Sequence, residues 1–239
     1  MEQILITLCA RGGSKGIPGK NIKILNGRTV IDYSVKHALE FSKLYNNVDI
    51  ALSTDSNEII AVAAESGLTT EYIRPDFLAN DRVGKIEVLK HVLNYEEEKR
   101  NKKYDMLLDL DVSSPLRNIK DLVEAYKIFK DNNDALNIFS VSKPHKNPYF
   151  NVVELKEDGF CKLVKENNSK TRQAAPIVYD MNASFYFYRK SFFDQNLKSA
   201  ITNKSLLFLM DHICFDLDEP LDFDIMEYLL KNNKLDIEI

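Results

Sequence analysis

Residues 9–21, Cys-Ala-Arg-Gly-Gly-Ser-Lys-Gly-Ile-Pro-Gly-Lys-Asn, gather four glycines, one proline, two lysines and an arginine into one segment. Glycine lets a backbone approach a ligand closely and offers amides that can point at an anion. Arg11, Lys15 and Lys20 add fixed positive charge at the same place, as a polyphosphate requires. The spacing is not that of the commoner phosphate loops. A Walker A loop has four residues between its first glycine and Gly-Lys-Ser/Thr, whereas five separate Gly13 from Gly19 and Lys20 is followed by Asn21. The G-x-G-x-x-G offsets of a dinucleotide fingerprint are absent too. The segment is read as a triphosphate-binding loop of another kind.

Two acidic pairs could serve that loop. Asp216 and Asp218 lie two apart, so on an extended segment their carboxylates share a side. Such a pair repels itself unless a cation or proton lies between, and oxygen ligands of this type suit Mg²⁺. The competing structural reading is capping of a helix by Asp218 ahead of Glu219-Pro220. Asp109 and Asp111 repeat the i, i+2 arrangement at a strand end, where ligands sit in open parallel sheets. Asp111 is a candidate to support a metal or to act as base toward an attacking hydroxyl. Arg74 and Arg117 follow strands in proline-containing turns, Arg74 expected to face a nucleotide and Arg117 to order its loop. His37 and His91 fall on helices and are read as structural, and no serine or cysteine is paired with a histidine as a hydrolytic nucleophile would be.

The elements that must position these groups alternate. Ile4 to Leu8 is a buried strand running straight into the glycine loop. Val30, Ile31, Val35, Ala38 and Leu39 carry a helical period, and Val48 to Ser53 reads as a strand. Asn57 to Ser66 is helical with Gly67 as its stop, Ile86 to Arg100 is a helix, and Met106 to Leu110 is a buried strand. Asn118 or Asp121 caps a helix through Phe129, and Ala135 to Val141 is the next strand. This order predicts an α/β fold with a mostly parallel sheet covered on both faces. The rhythm then breaks at Phe150 to Leu155 and Phe160 to Val164, which flank the turn Lys156-Glu157-Asp158-Gly159 and predict a hairpin. Leu206 to Leu209 is a last strand, and Leu221, Ile225 and Leu229 mark one face of a last helix with Pro220 in its first turn.

From Ala10 to Asn21 the loop resembles the signature of the cytidylyltransferases that activate sialic acid and related nine-carbon keto-sugars. Further blocks resemble that family in the same order: Ser53-Thr54-Asp55, Arg74 to Asp81, Ser113-Ser114-Pro115-Leu116-Arg117, Arg172-Gln173, Asn182 to Tyr186, and Asp216-Leu217-Asp218. The departures are informative. Asp111-Val112 stands where sialic acid members usually have Gln-Pro, Phe150 where a base is frequent, and Asn182-Ala183 where the family has Asn-Gly. The stretch from Asp109 to Arg117 looks closest to members that activate legionaminic acid.

The resemblance implies a three-layer, doubly wound, mostly parallel sheet of the nucleotide-diphospho-sugar transferase kind. It implies one domain over 1–239, with a dimerisation excursion at about 143–190 that makes a twofold homodimer. It implies that CMP is transferred from CTP to a nonulosonic acid and pyrophosphate released. By resemblance Ala10, Arg11, Gly12, Gly13, Ser14, Lys20, Asn21, Arg74 and Gly84 would serve the nucleotide. Asp111, Arg172, Gln173, Tyr179 and Asn182 would serve the sugar, and Asp216 and Asp218 would hold Mg²⁺. The proton would pass to Asp111 or to a metal-bound hydroxide. Two other readings stand beside this one. A nucleotide-sugar-dependent glycosyltransferase would use Asp109-Leu110-Asp111 as its Asp-x-Asp but leaves the cationic loop unexplained. A non-catalytic nucleotide-binding protein would have no need of the Asp216–Asp218 pair.

The chain's 239 residues, 44% hydrophobic and 28% charged, fit an ordinary α/β domain. A net charge of −4 gives no reason to expect nucleic-acid binding. Cys9, Cys161 and Cys214 form no zinc pattern and suggest a reducing compartment. The first apolar run is too short for a signal peptide and no stretch is long enough to span a bilayer, so a cytoplasmic protein without membrane partners is expected.

Overall fold

The computed structural model describes residues 2–14, 16–166 and 171–239; Lys15, one of the three loop cations, lies outside them. In chain order the strands are β1 (Ile4–Cys9), β2 (Ile24–Leu25), β3 (Arg28–Thr29), β4 (Val48–Ser53), β5 (Met106–Asp111), β6 (Asn137–Ser142), β7 (Val153–Leu155), β8 (Cys161–Leu163), β9 (Asp180–Arg189) and β10 (Ser205–Leu209). The helices are α1 (Val30–Leu44), α2 (Asn57–Glu65), α3 (Lys85–Arg100), α4 (Ile119–Asp131), α5 (Lys190–Asp194) and α6 (Pro220–Lys231).

The main sheet has the order β10-β6-β9-β5-β1-β4. β4, β1 and β5 are mutually parallel, β10 is parallel to β6, and β9 runs antiparallel to both β5 and β6. Alternate residues of a strand face opposite sides, and β1 divides accordingly. Ile4, Ile6 and Leu8 join a core with residues of α1, α2, α4 and α6, while Leu5 joins one with α3 and α5. Three layers result, as the alternating pattern and the resemblance predict.

Local chemistry fixes the element ends. Gly67, φ 91°, ends the turn after α2 in a left-handed conformation that glycine adopts without penalty. Asn118 caps α4 by accepting from the Asp121 amide at 3.1 Å, and the Asp121 carboxylate returns a bond to the Asn118 amide at 2.8 Å. The two cap candidates are thus the two halves of one capping box. The hairpin β2–β3 turns on Asn26-Gly27, both at positive φ. That dipeptide is a strong hairpin signal that the sequence reading passed over.

Three expectations are corrected. First, the segment outside the sheet ends before residue 180, not near 190, because β9 lies at the sheet's centre. Phe185 and Phe187 of β9 are fully buried on one face and Tyr188 on the other, a strand hydrophobic on both sides. Second, the hairpin in that segment is shorter than predicted, confined to β7 and β8. Third, α6 packs through Phe223 and Met226, whereas Leu221 and Ile225 are exposed. Both sets fit a helical period, and the pair that meets the core is the one buried.

Candidate functional site

β1 leads by way of α1 to β4 on one side, and the chain then returns to β5 on the other side of β1. The strand order reverses there, and crevices at such points, outside the carboxyl ends of strands, are where open α/β sheets bind ligands. A cleft of about 330 Å³ lies there, lined among others by Cys9, Arg11, Ser14, Lys20, Asn21, Arg74, Asn80, Asp81, Val83, Lys85, Asp111 and Ser113.

The glycine loop forms one wall. The Gly12 amide donates to Asp55 Oδ1 at 2.8 Å, and Asn21 Nδ2 donates to the Arg11 carbonyl at 3.0 Å, which curls the loop back on itself. Gly19, φ 64°, admits the tight turn into the 3-10 turn Lys20–Ile22. Gly16 is required for a different reason, since a Cβ there would lie 2.0 Å from the Asp218 carbonyl oxygen. The loop thus packs directly on the segment carrying the second acidic pair. Lys20 Nζ donates to the Leu217 carbonyl at 2.5 Å and lies 3.6 Å from Asp218 Oδ1. Arg11 crosses the cleft to pair with Asp81 at 2.5 Å. Arg74 is held by Ser53, donating to its hydroxyl at 3.0 Å and its carbonyl at 2.7 Å.

Asp109 and Asp111 point to the α3 side of β5, where Lys85 opens α3. Lys85 Nζ is 2.7 Å from Asp109 Oδ2 and 2.5 Å from Asp111 Oδ2. Thr7 Oγ1 donates to the other Asp109 oxygen at 3.1 Å, and the Ser113 amide and hydroxyl donate to the other Asp111 oxygen at 2.9 and 2.7 Å. Burial opposes ionisation of Asp111, but Lys85 and the Ser113 donors outweigh it and push its pKa down to about 2. Burial likewise disfavours the Lys85 ammonium, yet the two carboxylates hold its pKa well above the ordinary lysine value. The fully buried Asp109 is raised, first by burial and then by Asp111.

Asp216 and Asp218 lie on the extended segment ahead of α6. Burial raises the Asp216 pKa, and the neighbouring Asp218 charge raises it further, with a contribution from Asp111. Three carboxylates are therefore within electrostatic reach beside the phosphate loop. The Asp218 amide donates to Asp222 Oδ2 at 3.0 Å while its carboxylate stays exposed. The helix-capping role falls to Glu219 and Asp222, which leaves the Asp218 carboxylate uncommitted to the cap.

A family model described as cytidylyltransferase matches residues 5–227, which takes in both walls of this cleft. The chain belongs to the cytidylyltransferase family. It is 41% identical over 236 residues to CMP-N,N'-diacetyllegionaminic acid synthase of Campylobacter jejuni and to post-translational flagellin modification protein B of Campylobacter coli, with 98% of each protein covered in both cases. In fold it is similar to a solved CMP:2-keto-3-deoxy-manno-octonic acid synthetase complexed with CTP, with a TM-score of 0.69 at 15% identity, covering 97% of this chain and 99% of that one.

Within this cytidylyltransferase the expected nucleotide residues separate by placement. Arg11, Ser14, Lys20, Asn21 and Arg74 line the cleft. Gly12 and Gly13 shape the loop, Ala10 is fully buried beneath it, and Gly84 caps α3 between the lining residues Val83 and Lys85. The expected sugar residues, Asp111 apart, are not brought to the cleft. Arg172 and Gln173 are exposed on a 3-10 turn, where Arg172 Nη2 donates to the His145 carbonyl at 3.3 Å, and Tyr179 lies at the approach to β9. Asn182 is buried, its amide donating to Ser142 Oγ at 2.8 Å and Met210 Sδ at 3.2 Å. The Asn182 side chain thus braces the strand instead of facing the cleft. Arg117 orders its loop as predicted, fully buried and donating to the carbonyls of Asp111, Ser114 and Ser184. Lys85, Asp81 and Ser113 are site residues the sequence reading did not assign. The available signal for Lys85 was a cation in the first turn of a helix, where the dipole disfavours it.

Proposed function

We propose that this chain joins CMP, from CTP, to the anomeric hydroxyl of a nonulosonic acid of the legionaminic type and releases pyrophosphate. The observation that carries the reading is the cleft itself. Arg11, Lys20 and Arg74 converge with Lys85 at the carboxyl ends of β1 and β5, beside an acidic pair, in a member of the cytidylyltransferase family. The 41% identity to a CMP-N,N'-diacetyllegionaminic acid synthase over nearly the whole chain, and Asp111 in the place of the usual glutamine, favour the legionaminic type of sugar.

Nucleotidyl transfer asks the protein mainly for positioning and charge neutralisation. Arg11 and Lys20 hold the triphosphate with the loop amides, and Arg74, anchored on Ser53 at the end of β4, supports it. The sugar's anomeric oxygen attacks the α-phosphorus in line as the bond to the bridging oxygen breaks and pyrophosphate leaves. Asp216 and Asp218 offer oxygen ligands of the kind Mg²⁺ takes: burial and then the Asp218 charge raise the Asp216 pKa, a cost a cation would relieve, and the Asp218 carboxylate is free of the helix cap. Bound there, Mg²⁺ would offset charge on the phosphates. A carboxylate whose pKa is pushed down to about 2 is a poor acceptor for a hydroxyl proton, so Asp111 acts here as a positioning acceptor and not as the base.

The segment 143–179 is read as a homodimer contact. Its hairpin and the chain after it expose Leu155 at 78% and Ile177 at 81%, with Val153 and Phe160 alongside, more apolar surface than scattered single residues explain. A twofold arrangement would also let Arg172 and Gln173 serve a partner's cleft, where a guanidinium fork suits the sugar's carboxylate.

Pyrophosphate release from CTP, measured with a panel of legionaminic, sialic and pseudaminic acids, tests the reading. The expected result is turnover with CTP in preference to other nucleotides, and kcat/KM about 10–200-fold higher for the legionaminic sugar, whose added methyl groups gain from an apolar wall. Equal or better efficiency with sialic acid removes the sugar assignment. No release with any member of the panel removes the activity.

A further inference from the structure

Lys85 is the one cation of the cleft that arrives from α3, and its surroundings are unusual for a lysine that merely neutralises charge. It stands at the first position of α3, where the helix dipole opposes a cation. Its ammonium is drawn over the end of β5 by two carboxylates, Asp109 at 2.7 Å and Asp111 at 2.5 Å. Those carboxylates are themselves fixed. Asp109 is fully buried and bonded to Thr7, and Asp111 takes two donors from Ser113. An ammonium has three donors; one is bonded to Asp111 and Asp109 is met as an ion pair, so donor capacity remains on a group that lines the cleft and is about one-third exposed. The nearest ring, Tyr186, has its centroid 5.9 Å from Nζ and does not cover it. A buried carboxylate pair needing only a counter-charge would be served by a lysine turned inward. This one is held at a set point with a donor toward the ligand space.

We propose that Lys85 is an oxyanion-binding residue of the cleft, donating to a phosphate oxygen of CTP or to the carboxylate of the sugar acid, with Asp109 and Asp111 as its positioning residues. The proposal rests on the cleft being the substrate site of the nucleotidyl transfer described above. It assigns to the Asp-Leu-Asp end of β5 the work of aiming a cation.

The test compares the wild type with Lys85→Met, Lys85→Arg and the double variant Lys85→Met/Asp109→Asn. All are measured for folded fraction, for binding of CTP and of the sugar acid by calorimetry, and for pyrophosphate release. Lys85→Met should lower kcat/KM by about 10²-fold, the scale of one charge-assisted hydrogen bond. It should weaken one ligand by at least about tenfold: CTP if the oxyanion is a phosphate, the sugar acid if it is the carboxylate. Lys85→Arg should recover part of the binding. The double variant removes one cation and one anion together. It should regain thermal stability over Lys85→Met but stay as weak in binding. A double variant, or Lys85→Met itself, with both affinities within about threefold of wild type at matched folded fraction overturns the proposal and leaves Lys85 a counter-ion. A wild type that binds both ligands but turns over no sugar defeats the assigned activity, while the affinities still decide the role of Lys85. A wild type that binds neither ligand defeats both.

Discussion

Arg11 and Asp81 face each other across the cleft at 2.5 Å, both about one-third exposed or more. An ion pair so open to water contributes about 0–1 kcal/mol to stability. Its cation can therefore be turned toward a phosphate at little cost. Arg11→Ala and Lys20→Ala are expected to lower activity by at least ~10²-fold, since each deletes a charge-assisted hydrogen bond to phosphate, with little change in thermal stability for Arg11→Ala. Turnover near normal in either variant at matched folded fraction would remove the phosphate-loop assignment. Asp216 carries the opposite balance. Burial, and then Asp218, raise its pKa, so keeping Asp216 ionised costs the folded chain stability relative to the unfolded one. Asp216→Asn should preserve or raise the melting temperature while activity collapses, and added Mg²⁺ should not restore it. EDTA-treated wild type that turns over normally would refute the metal role, and a fall in melting temperature would refute the strain argument.

At the scale of elements, the acidic pair is held by what lies on either side of it. Upstream, His212 bonds to Asp121 at the start of α4, Nε2 to Oδ2 at 2.9 Å. Burial works against the imidazolium, but the Asp121 hydrogen bond and charge outweigh it and raise the His212 pKa above its ordinary value of 6.5. A raised pKa means that stabilisation by this pair is present in full below the unfolded value and lost as pH rises through the folded one. His212→Gln should thus lower the melting temperature more at pH 6 than at pH 9. An equal loss at both values would mean the pair acts without its charge. Within β9, Ala183 is held at φ 57°, a left-handed conformation where the resembling family has glycine. A side chain there costs roughly 1–2 kcal/mol. Ala183→Gly is expected to recover about 1 kcal/mol, or about 2–4 °C in melting temperature for a chain of this size. A melting temperature unchanged or lowered would show that the bonds made by Asn182 already absorb the strain.

For the whole molecule, the segment 143–179 decides whether one chain is sufficient. The cleft is lined by the ends of β1 and β5, the glycine loop through Asn21, residues between Arg74 and Val83, and the start of α3, yet Arg172, Gln173 and Tyr179 lie away from it on a segment rich in exposed apolar side chains. Sedimentation at micromolar concentration should show a dimer. Leu155→Glu together with Phe160→Glu should produce a monomer that still binds CTP but has a KM for the sugar raised at least ~10-fold, the effect of losing a charge-assisted contact to its carboxylate. A monomeric wild type with full activity would place the sugar contacts elsewhere.

The nucleotide half of the site was legible in the sequence because it is local. Glycines, cations and a preceding strand occur within one short run, and their chemistry depends on that run's own backbone. The alternating elements were legible for a similar reason, since strand and helix periods are short-range patterns. What depends on distant partners was not. Lys85 meets Asp109 and Asp111 only because β5 pairs with β1 and α3 covers that face. The depressed pKa of Asp111 follows from that meeting. β9 was hidden because an antiparallel strand inserted between β5 and β6 comes from far along the chain, and its aromatic run carries no mark of its place. The face of α6 was undecided because Phe223 and Met226 fit a helical period as well as Leu221 and Ile225 do. A period says that a helix has a face. Only the surface it lands on selects which one is buried.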